Sequence, residues 1–193
     1  MKMILLHTSV AAALLGLAAP VMAQSVPAAT IAVVDLEKVT SQCNACKTAK
    51  AALTSQLNAL KARQASLAAP LEVEGKAIQA AASALAGKAP DAALQARAQA
   101  FETKRQAAGQ EISRQEQQIQ RNQAYIQQQI AAKLGPIYQQ VMQRRGANIM
   151  VEVSTTLATS ASLDVSGDVL AALNASLPSL QTIAPAQAAP QGR

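Results

Sequence analysis

Leu53-Thr54-Ser55-Gln56-Leu57-Asn58-Ala59-Leu60 opens a run in which large apolar side chains recur at Leu57, Leu60, Leu67, Leu71, Ile78 and Leu85. The steps alternate between three and four once Gln64 and Glu74 are admitted as two seam positions, which is the signature of a heptad seam with polar interruptions. Most of the intervening residues are alanine, the best intrinsic helix former, so a long helix is locally favoured even though it has little to bury by itself. Pro70 lies inside the run and predicts a bend, because proline removes a backbone donor and crowds the preceding turn; Gly75 adds local softness.

Between Leu85 and Asp91 the chain reads Leu-Ala-Gly-Lys-Ala-Pro-Asp. A glycine suited to a helix C-terminus and a proline-aspartate pair suited to restarting a helix predict a reversal there. A second helical segment is expected from about residue 92 to about residue 145, with Ile112, Ile119 and Ile126 seven apart, Ile130 and Ile137 following after a phase step, and alanine, glutamine and asparagine at the other seam positions. Two arms of about 45 to 55 residues at 1.5 Å rise would make a hairpin of about 70 to 80 Å. Gly135-Pro136 predicts a kink or interruption near the base of the second arm.

Outward from the hairpin the periodicity changes. Thr30-Ile31-Ala32-Val33-Val34-Asp35-Leu36 is short and β-branched, Asn148 to Val153 is strand-like after Gly146, and Leu163 to Asn174 predicts a short strand and then a short helix capped by Ser166 or Asp168. The fold class expected is therefore mainly α with a small β body: residues 24–38 and 146–177 form the body, and residues 39–145 form a long antiparallel, coiled-coil-like helical hairpin inserted between its strands. Short strands with open edges need partners, so the body is expected to close into an oligomeric barrel or sheet. Residues 178–193, rich in Pro, Ala and Gln, are expected to be a disordered tail.

Lys2 and His7 precede the apolar run Val10 to Ala19, and Val21-Met22-Ala23 follows it. This predicts a secretory signal peptide over residues 1–23, cleaved after Ala23, because the run is about half of a bilayer span and ends in small residues. The whole sequence carries 17 Lys and Arg against 11 Asp and Glu. Loss of Lys2 with the leader leaves a mildly basic chain, which electrostatics permits to meet acidic polypeptides, anionic lipid or lipopolysaccharide. Export and the scarcity of rings, limited to Phe101, Tyr125 and Tyr138, argue against nucleic acid as a partner, since single-strand binders need stacking platforms.

In their order and spacing the Ile31-Ala32-Val33-Val34-Asp35-Leu36-Glu37-Lys38-Val39 strand, the charged hairpin, the Gly146-Ala147-Asn148-Ile149-Met150-Val151 strand and the Leu163 to Asn174 close resemble the Skp (OmpH) family over about residues 30 to 177. The resemblance implies a periplasmic homotrimer with a small strand barrel and three hairpins enclosing a cavity. It also implies an ATP-independent holdase, a chaperone that binds unfolded outer-membrane β-barrel proteins during outer membrane protein assembly and prevents their aggregation.

The arms' basic residues Lys76, Lys88, Arg97, Lys104, Arg105, Arg114 and Arg121 are the candidate client-binding groups, attracting acidic clients while weak apolar contacts retain them; for any one of them the simpler reading is a solvated helix face. Two other functions are weighed against the chaperone: a passive coiled-coil envelope spacer, and a thiol-disulfide protein using Cys43-Asn44-Ala45-Cys46. Haem attachment lacks the histidine, since Lys47 follows Cys46, and a zinc site lacks further Cys or His ligands in the mature chain. On a helix the two cysteines stand about 5 Å apart, so a local disulfide, a bridge between subunits and a redox pair all stay open. Asp164 and Asp168 fit capping and helix-dipole roles. With no phosphate-cradling glycine loop and no catalytic constellation, neither an enzyme nor a cofactor or metal is expected.

Overall fold

A computed structural model describes residues 27–186; the expected leader, residues 1–23, and the last seven residues lie outside that range. Strand β1 (Ile31–Val34) leads into helix α1 (Leu36–Gln42), then α2 (Asn44–Ala84), α3 (Ala92–Arg145), strand β2 (Ile149–Glu152) and α4 (Ser166–Ser176), with two 3-10 turns between β2 and α4. At 1.5 Å per residue, the 41 residues of α2 and the 54 of α3 extend about 60 and 80 Å.

Local chemistry sets the element ends. Asp35 caps α1 by accepting the Lys38 N–H at 2.8 Å, and Asp91 starts α3 by accepting the Leu94 N–H at 2.7 Å, so each satisfies a donor that the first turn leaves free. The reversal between the arms places Ala86 and Gly87 at φ 50° and 89°, a left-handed turn in which glycine is unstrained. At the other end of α3, Gly146 adopts φ 65° while Ala147 N–H reaches the Met142 carbonyl at 2.9 Å and Gly146 N–H reaches Gln143 at 3.3 Å, a Schellman closure. Arg144 and Arg145 in the last turn complement the negative end of the helix dipole.

Three sequence expectations are corrected. The first helix is broken at Cys43, whose backbone (φ −57°, ψ 128°) leaves the helix, so that α1 and α2 are separate; Asn174 of α4 accepts the Asn44 N–H at 2.9 Å and satisfies the new N-terminus. Gly135-Pro136 does not interrupt α3; α2 runs as one helix through Pro70, where the sequence predicts only a bend. Around Pro136 the reason is packing, because Leu134 and Ile137 are both buried in the body core and hold the helix on each side of the missing donor. Finally, the predicted disordered tail is ordered as far as the description reaches: Leu180 packs against the core, and side-chain amides of Gln56, Asn122 and Gln129 bond the backbone of residues 181–184. Composition misses this because the partners are glutamines and asparagines more than fifty residues away.

β1 and β2 pair in parallel, Ile31 opposite Ile149 through Val34 opposite Glu152. A parallel pair needs a crossover, and here the entire hairpin is that crossover. On its other side β1 forms a bridge from Val33 to Asp164, and Val165 N–H reaches the Val33 carbonyl at 2.9 Å. Within the described residues of one chain this is a two-stranded sheet; the barrel expected is one formed between chains. Beneath it Val34, Val39, Val141, Val169 and Leu173 form one core with Cys43, Ile137 and Leu177, joining α1, the base of α3 and α4.

The helix expected after residue 163 is α4. Its start is fastened by Asp164, which accepts both the Ser166 N–H (2.8 Å) and the Ser166 hydroxyl (2.5 Å). The buried Ser166 oxygen in turn accepts the Asp35 N–H at 2.8 Å. Asp168 lies in the first turn of α4 and pairs with Arg145 at 2.6 Å, so both aspartates act on helix termini.

Candidate functional site

The arms meet in antiparallel register. Gly75 faces Phe101, whose ring would lie 3.3 Å from an added Cβ; farther toward the base, Arg63 meets Glu111 and Gln56 meets Asn122. The missing side chain at Gly75 leaves room for the Phe101 ring. The apolar seam is thin: Leu60 and Ile126 are buried, but Leu67, Leu71, Ile78, Ile112 and Ile119 are only half-buried, and Leu57 is 45% exposed. Val73, on the outer surface, is 70% exposed.

Halfway along the arm the seam opens into a cleft of about 530 Å³. Leu67, Pro70, Leu71, Ala107 and Ala108 line its floor, and Glu74, Lys104, Glu111 and Arg114 stand at its rim. Two guanidinium-carboxylate forks span the arms beside it: Arg97 on Glu74 at 2.7 and 3.1 Å, and Arg63 on Glu111 at 2.6 and 3.1 Å. Each fork holds its carboxyl below the ordinary glutamate range, first through the hydrogen bond and then, against some desolvation, through the arginine's charge, with Lys104 near Glu74 and Arg114 near Glu111 adding to it. The same contacts raise Arg63 and Arg97. With both rim carboxylates engaged by arginines, Lys104 and Arg114 leave the cleft rim net positive.

The seven candidate basic residues therefore separate into two groups. Arg97 bridges the arms, Lys76 pairs with Glu72 four residues earlier, and Arg105 pairs with Glu102 three residues earlier; these three are committed to the chain's own carboxylates. Lys88 at the tip, Lys104, Arg114 and Arg121 have no carboxylate within ion-pair distance among the described residues. Arg121 donates to Gln118, and its Nε is buried without a partner. Residue type alone placed all seven on one footing, because ion pairing across the hairpin depends on the arm register.

Cys43 and Cys46 are joined by a disulfide, their α-carbons 5.1 Å apart. Cys43 is wholly buried, the Cys46 N–H reaches its sulfur at 3.2 Å, and the pair sits in the body core. Among the described residues no group of three or more His, Cys, Asp or Glu side chains could hold a metal ion, and no helix is long and apolar enough to cross a membrane.

Sequence reasoning missed the row of side-chain amides on α3, Gln118, Asn122 and Gln129, all three of which bond the C-terminal segment. The detectable signal was a polar asparagine at a seam position flanked by isoleucines, but its partners could not be read from it.

No curated protein matches the chain. Its fold is shared with a crystal structure from Caulobacter crescentus CB15 described as a candidate outer membrane chaperone (OmpH-like), with a TM-score of 0.67 and 16% identity over 81% of this chain and 90% of that one. The family model "Outer membrane protein (OmpH-like)" matches residues 30–173, a span that takes in both strands, the whole hairpin and most of α4, and the chain accordingly belongs to the OmpH-like family.

Proposed function

We propose that the protein is an ATP-independent periplasmic holdase chaperone that binds unfolded outer-membrane β-barrel proteins through its arms and prevents their aggregation. The observation that carries the reading is the mid-arm cleft, where a half-exposed apolar floor lies under a rim with surplus positive charge. Such a surface attracts acidic, partly apolar chains over several ångströms and holds them through many weak contacts, which favours fast capture and easy release.

The body supports the assembly that this function needs. Ile31 and Ile149, opposite each other in the sheet, are 42% and 41% exposed, and Val153, Leu157 and Leu163 are exposed nearby in sequence. The far edge of β2 carries no strand among the described residues. An apolar strip beside an open edge fits pairing with further copies of the chain, and a homotrimer would set three arms around a common space. Contact with anionic lipid or lipopolysaccharide is compatible with the basic arms. The disulfide speaks against the thiol-disulfide alternative, since both its cysteines are buried in the body core, where access for exchange is restricted. An open, charged cleft has no purpose in a passive spacer.

The test is light scattering of a urea-unfolded outer-membrane β-barrel diluted into buffer without ATP, with and without residues 24–193, at low and high salt. Suppressed aggregation at about one trimer per client, weakened by salt, is the expected result. Unchanged aggregation would refute the holdase.

A further inference from the structure

We infer that the base of the arm is a backbone-reading peptide cleft, which the chain's own residues 181–184 occupy in cis and which a segment of an unfolded client occupies when that strap is displaced. The naming of a client as the displacing ligand rests on the holdase reading; the cleft itself does not.

The contacts are all to main chain. Gln129 on α3 accepts the Gln181 N–H at 3.0 Å and donates to the Gln181 carbonyl at 2.9 Å, the same two-bond exchange that one strand residue makes with its antiparallel neighbour. Two helical turns earlier on the same face, Asn122 accepts the Ala184 N–H at 2.8 Å. Its own amide is fixed by Gln56 of α2, to which it donates at 2.8 Å, and by Gln118, from which it accepts at 2.8 Å. Gln56 then donates to the Thr182 carbonyl at 3.2 Å. Gln118 also donates to the Ala184 carbonyl at 3.5 Å, so five backbone groups in four residues are read by side-chain amides from both arms.

None of these bonds depends on which side chains the strap carries. Gln181 is exposed, and the largest apolar group of the segment, Ile183, remains 69% exposed. A site of this kind reads main chain, here bent at Ile183, rather than side chains, and an unfolded polypeptide is the ligand class with exposed main chain to offer. Asn122 is 3% exposed, packed between the two arms. A buried amide is unfavourable unless its bonds are complete, and in this arm the occupied cleft completes them. The strap also lies beyond residue 173, where the match to the OmpH-like family ends. Tethered only a few residues after α4, it competes at an effective concentration on the order of millimolar, so a single client segment at micromolar concentration does not displace it and a client bound at several points does.

The experiment uses the full chain. Gln181→Pro combined with Ala184→Pro removes the two backbone donors of the strap and leaves both arms unaltered. A fluorescent peptide with the sequence of residues 178–188 is titrated into the parent and into this variant, followed by anisotropy. Binding to the variant at least about tenfold tighter than to the parent is expected, with equal binding of a peptide that keeps Leu180 but exchanges the exposed Gln181 and Ile183 side chains, and loss of binding when the peptide is N-methylated at the positions of Gln181 and Ala184 or when Gln129→Ala is added to the protein. Failure of the peptide to bind the variant, or indifference to N-methylation, would overturn the cleft. Aggregation suppression measured beside it separates the two readings. More efficient suppression by the double-proline variant is expected. Peptide binding with unaltered suppression would overturn the client assignment alone, and a variant that suppresses aggregation but binds no peptide would overturn the cleft and leave the holdase standing.

Discussion

Leu173→Ala tests whether α4, α1 and the base of α3 share one core. Leu173 is 0% exposed and belongs to the cluster that contains Val39, Val141 and Val169, and α4 packs on both α1 and α3. Removing three buried carbons forfeits about 2.4 kcal/mol at about 0.8 kcal/mol per methylene. The cavity left among neighbours that relax only in part raises the loss to about 3 to 4 kcal/mol. Native-state hydrogen exchange read by mass spectrometry is the suitable assay, since the long arms would dominate a circular dichroism signal. Amides of α4, α1 and β1 should exchange together, faster by about two orders of magnitude or more, while the arm beyond Leu60 keeps its protection. Faster exchange confined to α4, with α1 and β1 unchanged, would refute the shared core. Val153→Ala, at a position 36% exposed, serves as the control and should shift exchange by well under about tenfold.

Four further outcomes are expected. Lys104→Gln with Arg114→Gln should weaken retention of an acidic client and flatten its salt dependence, whereas Arg105→Gln, which removes a cation already paired with Glu102, should leave both unchanged in the light-scattering assay. Hydrogen bonds from the Ser166 hydroxyl and N–H, aided by Lys38 and opposed by desolvation, hold the Asp164 carboxyl below its usual value. Its stabilisation is therefore complete above the unfolded pKa near 3.9 and is lost as pH falls through the lower folded value, so Asp164→Asn should flatten the fall of urea midpoint below about pH 4. Gly135→Ala, where an added Cβ meets nothing within 4 Å, should stabilise by about 0.5–1 kcal/mol, while Gly146→Ala at φ 65° should destabilise by about 1–2 kcal/mol, both read from urea unfolding. Cys43→Ser with Cys46→Ser should leave aggregation suppression intact, because the disulfide closes a very small loop at the foot of α2, in the body core and far from the mid-arm cleft.

Local and periodic features carried most of the architecture. The heptad spacing from Leu57 to Leu85, the Gly-Lys-Ala-Pro-Asp reversal and the β-branched run at Ile31 each determine an element through interactions within a few residues, so the hairpin inserted between two strands is legible from one sequence. Gly146 as a helix stop is legible for the same reason: only a residue without a Cβ takes φ 65° freely. Whether a proline interrupts a helix is another matter. Pro136 lost to the burial of Leu134 and Ile137 against residues from both ends of the chain, a contact no local window contains.

The same distinction divides the site. The sequence by itself determined that the arms are basic, alanine-rich and weakly apolar. Only tertiary structure decided that Arg97 is bound to Glu74 across the hairpin while Lys104 is left without a carboxylate partner, and that Gln129 meets the backbone of Gln181 fifty-two residues away. Charge and amide content are properties of single residues. Which of those groups are already satisfied depends on the register of two helices and on where the chain returns after α4, and long-range packing sets both.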